Sequence, residues 1–223
     1  MEIKYKIVYS RRRSVSISMT PDKGVVVRVP YHMPAETIEK FVSDKEPWIR
    51  KHLNKYSEIT RLNNKEYIDG EDLLYQGKLY RLKVNNSSHV CVNQHDDIIE
   101  AGTGGKQGIT KALIDIWYRK RAAVFINERF REILARYSGY GFRPSRLAVR
   151  PLKSRWGSCT SKGKITISSE LIKIDPLFTD HVIIHELCHL KYHNHSKDFY
   201  NLLEELEPGH KSIRKDLRKY ITR

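Results

Sequence analysis

Cysteine is scarce in this chain. The three present, Cys91, Cys159 and Cys188, lie far apart and form no C-x-x-C pair. That argues against a disulfide framework and a cysteine-rich structural zinc site, and it fits a reducing cytoplasm best. Long apolar runs are missing too. None approaches 18 residues, and the opening Met1-Glu2-Ile3-Lys4-Tyr5-Lys6 has no apolar segment behind it. The expectation is neither a signal peptide nor a membrane span. Acid is in short supply: 26 Asp and Glu face 41 Lys and Arg, for a formal charge of +15. Such an excess favours anionic partners, nucleic acid among them, and serves solubility equally well. Low-complexity sequence is absent. The 39% of hydrophobic residues fall in periodic runs, so a packed core is expected.

The periodicities predict an α+β chain. Residues 1–30 read as a β-hairpin, with Val15, Ile17 and Met19 alternating with serines before Pro21-Asp22-Lys23-Gly24. Arg11-Arg12-Arg13 stands at its entry, as a solvated strand end or a phosphate contact. Pro34-Ala35-Glu36 opens a helix that Pro47 kinks or restarts. A second hairpin turns at Gln76-Gly77, and two short strands follow around Val90–Val92 and Ile98–Ile99. Ala101-Gly102-Thr103-Gly104-Gly105 is the best candidate linker. No Lys-Ser/Thr follows it at the spacing that would cradle a phosphate. The division expected is a β-rich N-terminal module over 1–100 and a helical domain with a short antiparallel sheet over 106–223. Within the second, a helix over 110–137 presents Leu113, Trp117, Val124, Phe130 and Leu134. Strands begin at Leu147 and Lys164, and the latter reads equally as an edge or an interior strand. Asp175-Pro176 caps and opens the next helix, and Ser196 caps another whose inward face is Phe199, Leu202, Leu203 and Leu206.

The chemistry concentrates at His185-Glu186-Leu187-Cys188-His189. Histidines at i and i+4 share one helix face, so both imidazoles can reach one ion at about 2.0–2.1 Å. The glutamate beside them can take a proton from a water that the ion activates. A zinc hydrolase needs a third protein ligand. His193 shares the face but would sit about 12 Å along the axis from His185, too far for one ion. His195 serves if the helix ends near Tyr192 and the chain turns at Asn194. Glu204 or Glu205 is the carboxylate alternative, and His195 is favoured. The spacing 185, 189, 195 is that of metzincins, but Tyr192 stands where they have glycine. No methionine follows Met33, so no methionine turn can lie beyond the site. His181, one turn before His185, and Cys188, about 100° from His189, are expected to support the site or fill the core.

The stretch from His185 through His195-Ser196-Lys197-Asp198-Phe199 resembles the YgjP-like metallopeptidases, relatives of the SprT-like zinc proteases. So do the preceding Lys153-Ser154-Arg155-Trp156-Gly157-Ser158-Cys159, the N-terminal hairpin and Asp69-Gly70…Gln76-Gly77-Lys78. The resemblance implies a zincin-like domain that hydrolyses peptide bonds. It implies Zn2+ held by His185, His189 and His195, with Glu186 as catalytic base. Tyr192, Tyr200 and Arg155 are candidates for an oxyanion donor. Two other readings follow from the charge. One is a DNA-associated protein of SprT-like type acting on nucleic-acid-bound proteins; the other is a zinc hydrolase of an anionic, phosphate-bearing substrate. The sequence leaves the oligomeric state open.

Overall fold

The computed structural model describes all residues except 1–2, 21–23, 51–64, 153 and 221–223. The chain divides into two compact units, Met1–Asn64 and Lys65–Ile221. In the first, the expected hairpin forms from β2 (Ser16–Thr20) and β3 (Gly24–Pro30). A further strand, β1 (Tyr5–Ser10), lies parallel to β3 on its other side. Val25, Val27 and Val29 alternate onto one face and pack with Ile38 and Val42 of α1 (Ala35–Asp44) and with Ile49. The helix breaks at Lys45 and resumes over 46–50, with Pro47 in its first turn, where a missing N–H costs nothing. Arg12 Nη1 donates to Ser16 Oγ at 2.8 Å, while Arg11 and Arg13 are exposed.

The second unit holds two sheets. The four-stranded one runs β4 (Asp72–Tyr75), β5 (Lys78–Asn85), β7 (Ile98–Thr103), β6 (Val90–His95). The β4–β5 turn is the two-residue loop read from Gln76-Gly77, and both residues have positive φ, as such a hairpin requires. Its tip docks elsewhere. The N–H groups of Gln76 and Gly77 donate to the carbonyls of Ile172 (2.7 Å) and Lys173 (3.2 Å). A Cβ on Gly77 would meet Asp175 Cα at 3.1 Å, so glycine serves both the turn and the contact.

The glycine-rich stretch at 101–105 is therefore no boundary. It carries the end of β7 and a turn into α2 (Thr110–Arg136), and both elements belong to the same unit and one core. The buried stripe of α2 is Ile114, Trp117, Tyr118, Ala122, Ile126, Phe130 and Ile133. Trp117 and Phe130 are as expected. Val124 is 59% exposed, because the stripe advances mainly by four and leaves 124 on the opposite face.

The three-stranded sheet runs β8 (Arg146–Arg150), β10 (Lys164–Ser168), β9 (Gly157–Cys159). It is mixed and not antiparallel: β8 pairs with β10 in parallel, β9 with β10 in antiparallel. β10 is thus interior, and β8 and β9 are the two edges. Behind this sheet runs α3 (Pro176–Cys188), started as read by Asp175, whose Oδ1 accepts the Leu177 N–H at 2.8 Å. Phe178, Val182, Ile183, Ile184, Leu187 and Cys188 are all buried along it. Each such apolar side chain contributes about 1.5–3 kcal/mol by leaving water, which makes α3 the central element of this core. α4 (Lys197–Leu206) and α5 (His210–Leu217) close the unit, and α4 buries the four predicted residues. No helix is long and apolar enough to cross a membrane among the described residues.

Candidate metal centre

The last turn of α3 carries His185 and Glu186, and His189 caps its end in helical conformation. The chain then turns through Leu190–Lys191, as the bonds from Leu190 N to Leu187 O and from Tyr192 N to Cys188 O show. This reversal brings back His195, just ahead of α4, where Ser196 Oγ accepts the Phe199 N–H at 3.4 Å. The structure therefore gathers His185, His189 and His195, with one nitrogen of each within 4.8 Å of the others. His185 Nε2 and His195 Nε2 are 3.1 Å apart. Ligand atoms of a tetrahedral ion at about 2.0–2.1 Å lie about 3.3 Å from one another, so the set fits a small divalent cation.

The electrostatics agree. Burial, reinforced by the neighbouring His189 and His195, lowers His185 to about 3. Burial also lowers His189 and His195. Neutral imidazoles with free lone pairs are what a cation requires. The Nδ1–H of His189 donates to the Tyr192 carbonyl at 3.0 Å, which leaves Nε2 as the lone-pair nitrogen. Phe199 is fully buried beneath the three rings, with centroid distances of 5.0, 4.6 and 4.8 Å. It is an apolar floor that keeps water from one side of the cluster.

Glu186 lies beside the triad. It is 4% exposed, and its Oε2 has no hydrogen-bond partner among the described residues. Burial pushes its carboxyl up to about 8, with Arg155 pulling the other way. An unpaired buried carboxylate oxygen is costly unless a proton or a cation comes to it. Its place against the sheet depends on Gly157 of β9. A Cβ there would lie 2.5 Å from Glu186 Oε1 and 2.8 Å from its Cγ. The open side is a depression of about 390 Å3 lined by Arg155, Gly157, Ser158 and Cys159 opposite the histidines and Glu186.

The sequence model of the YgjP-like metallopeptidase domain matches residues 13–220. The chain belongs to the YgjP-like metallopeptidase family. It is accordingly a hydrolase of the metallopeptidase class. No curated protein matches it. Two solved structures share part of its length. The metallopeptidase zymogen abylysin of Pyrococcus abyssi is 25% identical, with a TM-score of 0.36 over 46% of this chain and 96% of that one. The metallopeptidase zymogen jannalysin of Methanocaldococcus jannaschii is 21% identical, with a TM-score of 0.37 over 42% and 94%.

The other donors weighed for this YgjP-like site are engaged elsewhere. Glu204 Oε2 lies 3.1 Å from His210 Nε2, and Glu205 accepts the Tyr140 hydroxyl at 2.7 Å. His193 is exposed at the rim. His181 is buried, its Nδ1 2.5 Å from Glu207 Oε2 and its ring 6.3 Å from that of His185. It supports the helix and lies outside the triad. Tyr200 stacks on His195 at 6.0 Å, and its hydroxyl accepts from Arg214 Nη1 at 3.0 Å. Tyr192 contributes its carbonyl to His189 and leaves its ring exposed. The sequence alone places Phe199 on an inward helix face and assigns Gly157 no role of its own. The available signals were a glycine directly after Trp156 and a phenylalanine one helical turn beyond His195.

Proposed function

We propose that the protein is a zinc-dependent peptidase in which His185, His189 and His195 hold the ion and Glu186 is the general base. The convergence of three neutral imidazoles beside an unpartnered buried carboxylate carries this reading. Zinc held by three neutral donors supplies Lewis-acid activation of water near neutral pH. The protein's residues do the rest. Glu186 accepts the proton of the attacking water at its carboxylate and returns it to the departing amine. The Tyr192 carbonyl holds the His189 ring in one tautomer, and Phe199 excludes water from beneath it. The free edge of β9 offers backbone N–H and C=O groups to an extended peptide running past Glu186. The substrate is then a peptide or protein segment that can lie extended along this edge.

The test combines metal analysis with peptide cleavage. The wild-type chain should bind about one zinc and cut an unstructured peptide. Glu186→Gln should keep the zinc and lose about 10²–10⁴-fold in kcat. Stoichiometric zinc that survives removal of all three histidines would sink the ligand assignment. Cleavage undiminished in Glu186→Gln would sink the base.

A further inference from the structure

Beside the catalytic depression lies a second one of about 280 Å3. Its lining includes Arg143, Lys162, Lys191 and His193, together with Phe142 and Leu190, and no carboxylate. The two depressions share Ser161 and His193, so they form one continuous groove. The second sits at the end of β9, where the chain turns through Thr160–Gly163 into β10. That wall is fixed: Gly163 N donates to Thr160 O at 2.8 Å, and Ser145 N to Gly163 O at 2.9 Å. Lys191 is fixed as well, its ammonium 5.7 Å over the Phe142 ring and 5.8 Å over Tyr140. None of Arg143, Lys162 and Lys191 forms an ion pair with a carboxylate among the described residues.

Like charges gathered in a concavity without counter-charges focus a positive potential and attract an anion. The concavity is too small for a strand of nucleic acid. A strand would need a track of phosphate contacts and exposed aromatic platforms, and Phe142 is buried. It suits a single side chain. Resting on the peptidase reading above, we infer that this depression is a specificity subsite receiving an acidic side chain of the peptide substrate, a few residues along the chain from the bond cut at Glu186.

The experiment uses full-length, zinc-loaded Glu186→Gln protein and fluorescein-labelled decapeptides that differ at one position as Glu, Gln or Lys. Anisotropy should show the Glu peptide binding roughly two- to five-fold tighter than the Gln peptide at low salt, and the Lys peptide weakest. The double variant Arg143→Glu/Lys162→Glu, on the same background, should reverse that order. Equal affinities at every position overturn the subsite. So does a DNA duplex that displaces the Gln peptide while the peptides themselves show no charge preference. Cleavage by the wild-type chain separates the two readings. A charge preference without any cleavage sinks the peptidase and leaves the acidic-group site standing; cleavage without a preference does the reverse.

Discussion

Gly157 is fixed by what it lacks. Its missing side chain is the space that Glu186 occupies, with backbone on one side and the buried helix on the other. Gly157→Ala should therefore displace the carboxylate without touching any histidine. The expected result is a loss of about 100-fold or more in kcat with zinc stoichiometry unchanged, read by peptide cleavage and metal analysis side by side. Retained activity would mean that β9 or α3 yields cheaply. At this scale the sequence was legible wherever spacing alone sets the geometry. His185, Glu186 and His189 follow from one helical turn, and the return of His195 followed from the length limit on His193. The approach of Gly157 to Glu186 and the seating of Phe199 under three rings were not legible. They arise only when elements distant in the chain pack together.

Elements with local causes came out as the sequence reads. The Gln76-Gly77 hairpin, the Asp175 and Ser196 caps and the restart at Pro47 each depend on residues a few positions apart. Elements with distant causes did not. β1 pairs in parallel across a hairpin, β9 has only three residues, and the direction of β8 relative to β10 is set by the crossover between them. Of the residues read onto the inner face of α2, Val124 alone is exposed, while Trp117 and Phe130 are buried and Leu134 packs against the core. α2 packs against α3. Arg129 on α2 grips Asp180 on α3 with Nε–Oδ1 at 2.8 Å and Nη2–Oδ2 at 2.5 Å, both side chains being mostly buried. Such a two-point, charge-assisted contact is stronger than an exposed pair. Arg129→Ala should cost about 1–3 kcal/mol and lower Tm by several degrees in thermal melts. Arg129→Lys should recover part of that loss. A Tm unchanged by the alanine would show that the pair merely breaks even against its desolvation.

Across the whole molecule, the histidine triad, the three- and four-stranded sheets and the larger core lie in the unit Lys65–Ile221. That unit should fold alone. Residues 65–221 expressed without the first unit should melt cooperatively and bind one zinc. Zinc at 100 times its Kd should raise stability by about 2.7 kcal/mol, reversed by a chelator. A non-cooperative melt, or loss of zinc binding in the shortened chain, would refute this division. A glycine-rich run has the composition of a linker, and here it forms a turn between elements of one core. Gly157 has a consequence for inheritance as well. Every amino acid that a missense mutation can place there adds a Cβ, so no replacement is conservative. The smallest, Gly157→Ala, is expected to leave a folded, metal-binding protein that, on the proposed function, binds its targets without cutting them. The cell would then carry a competitor of its own enzyme in place of a simple loss.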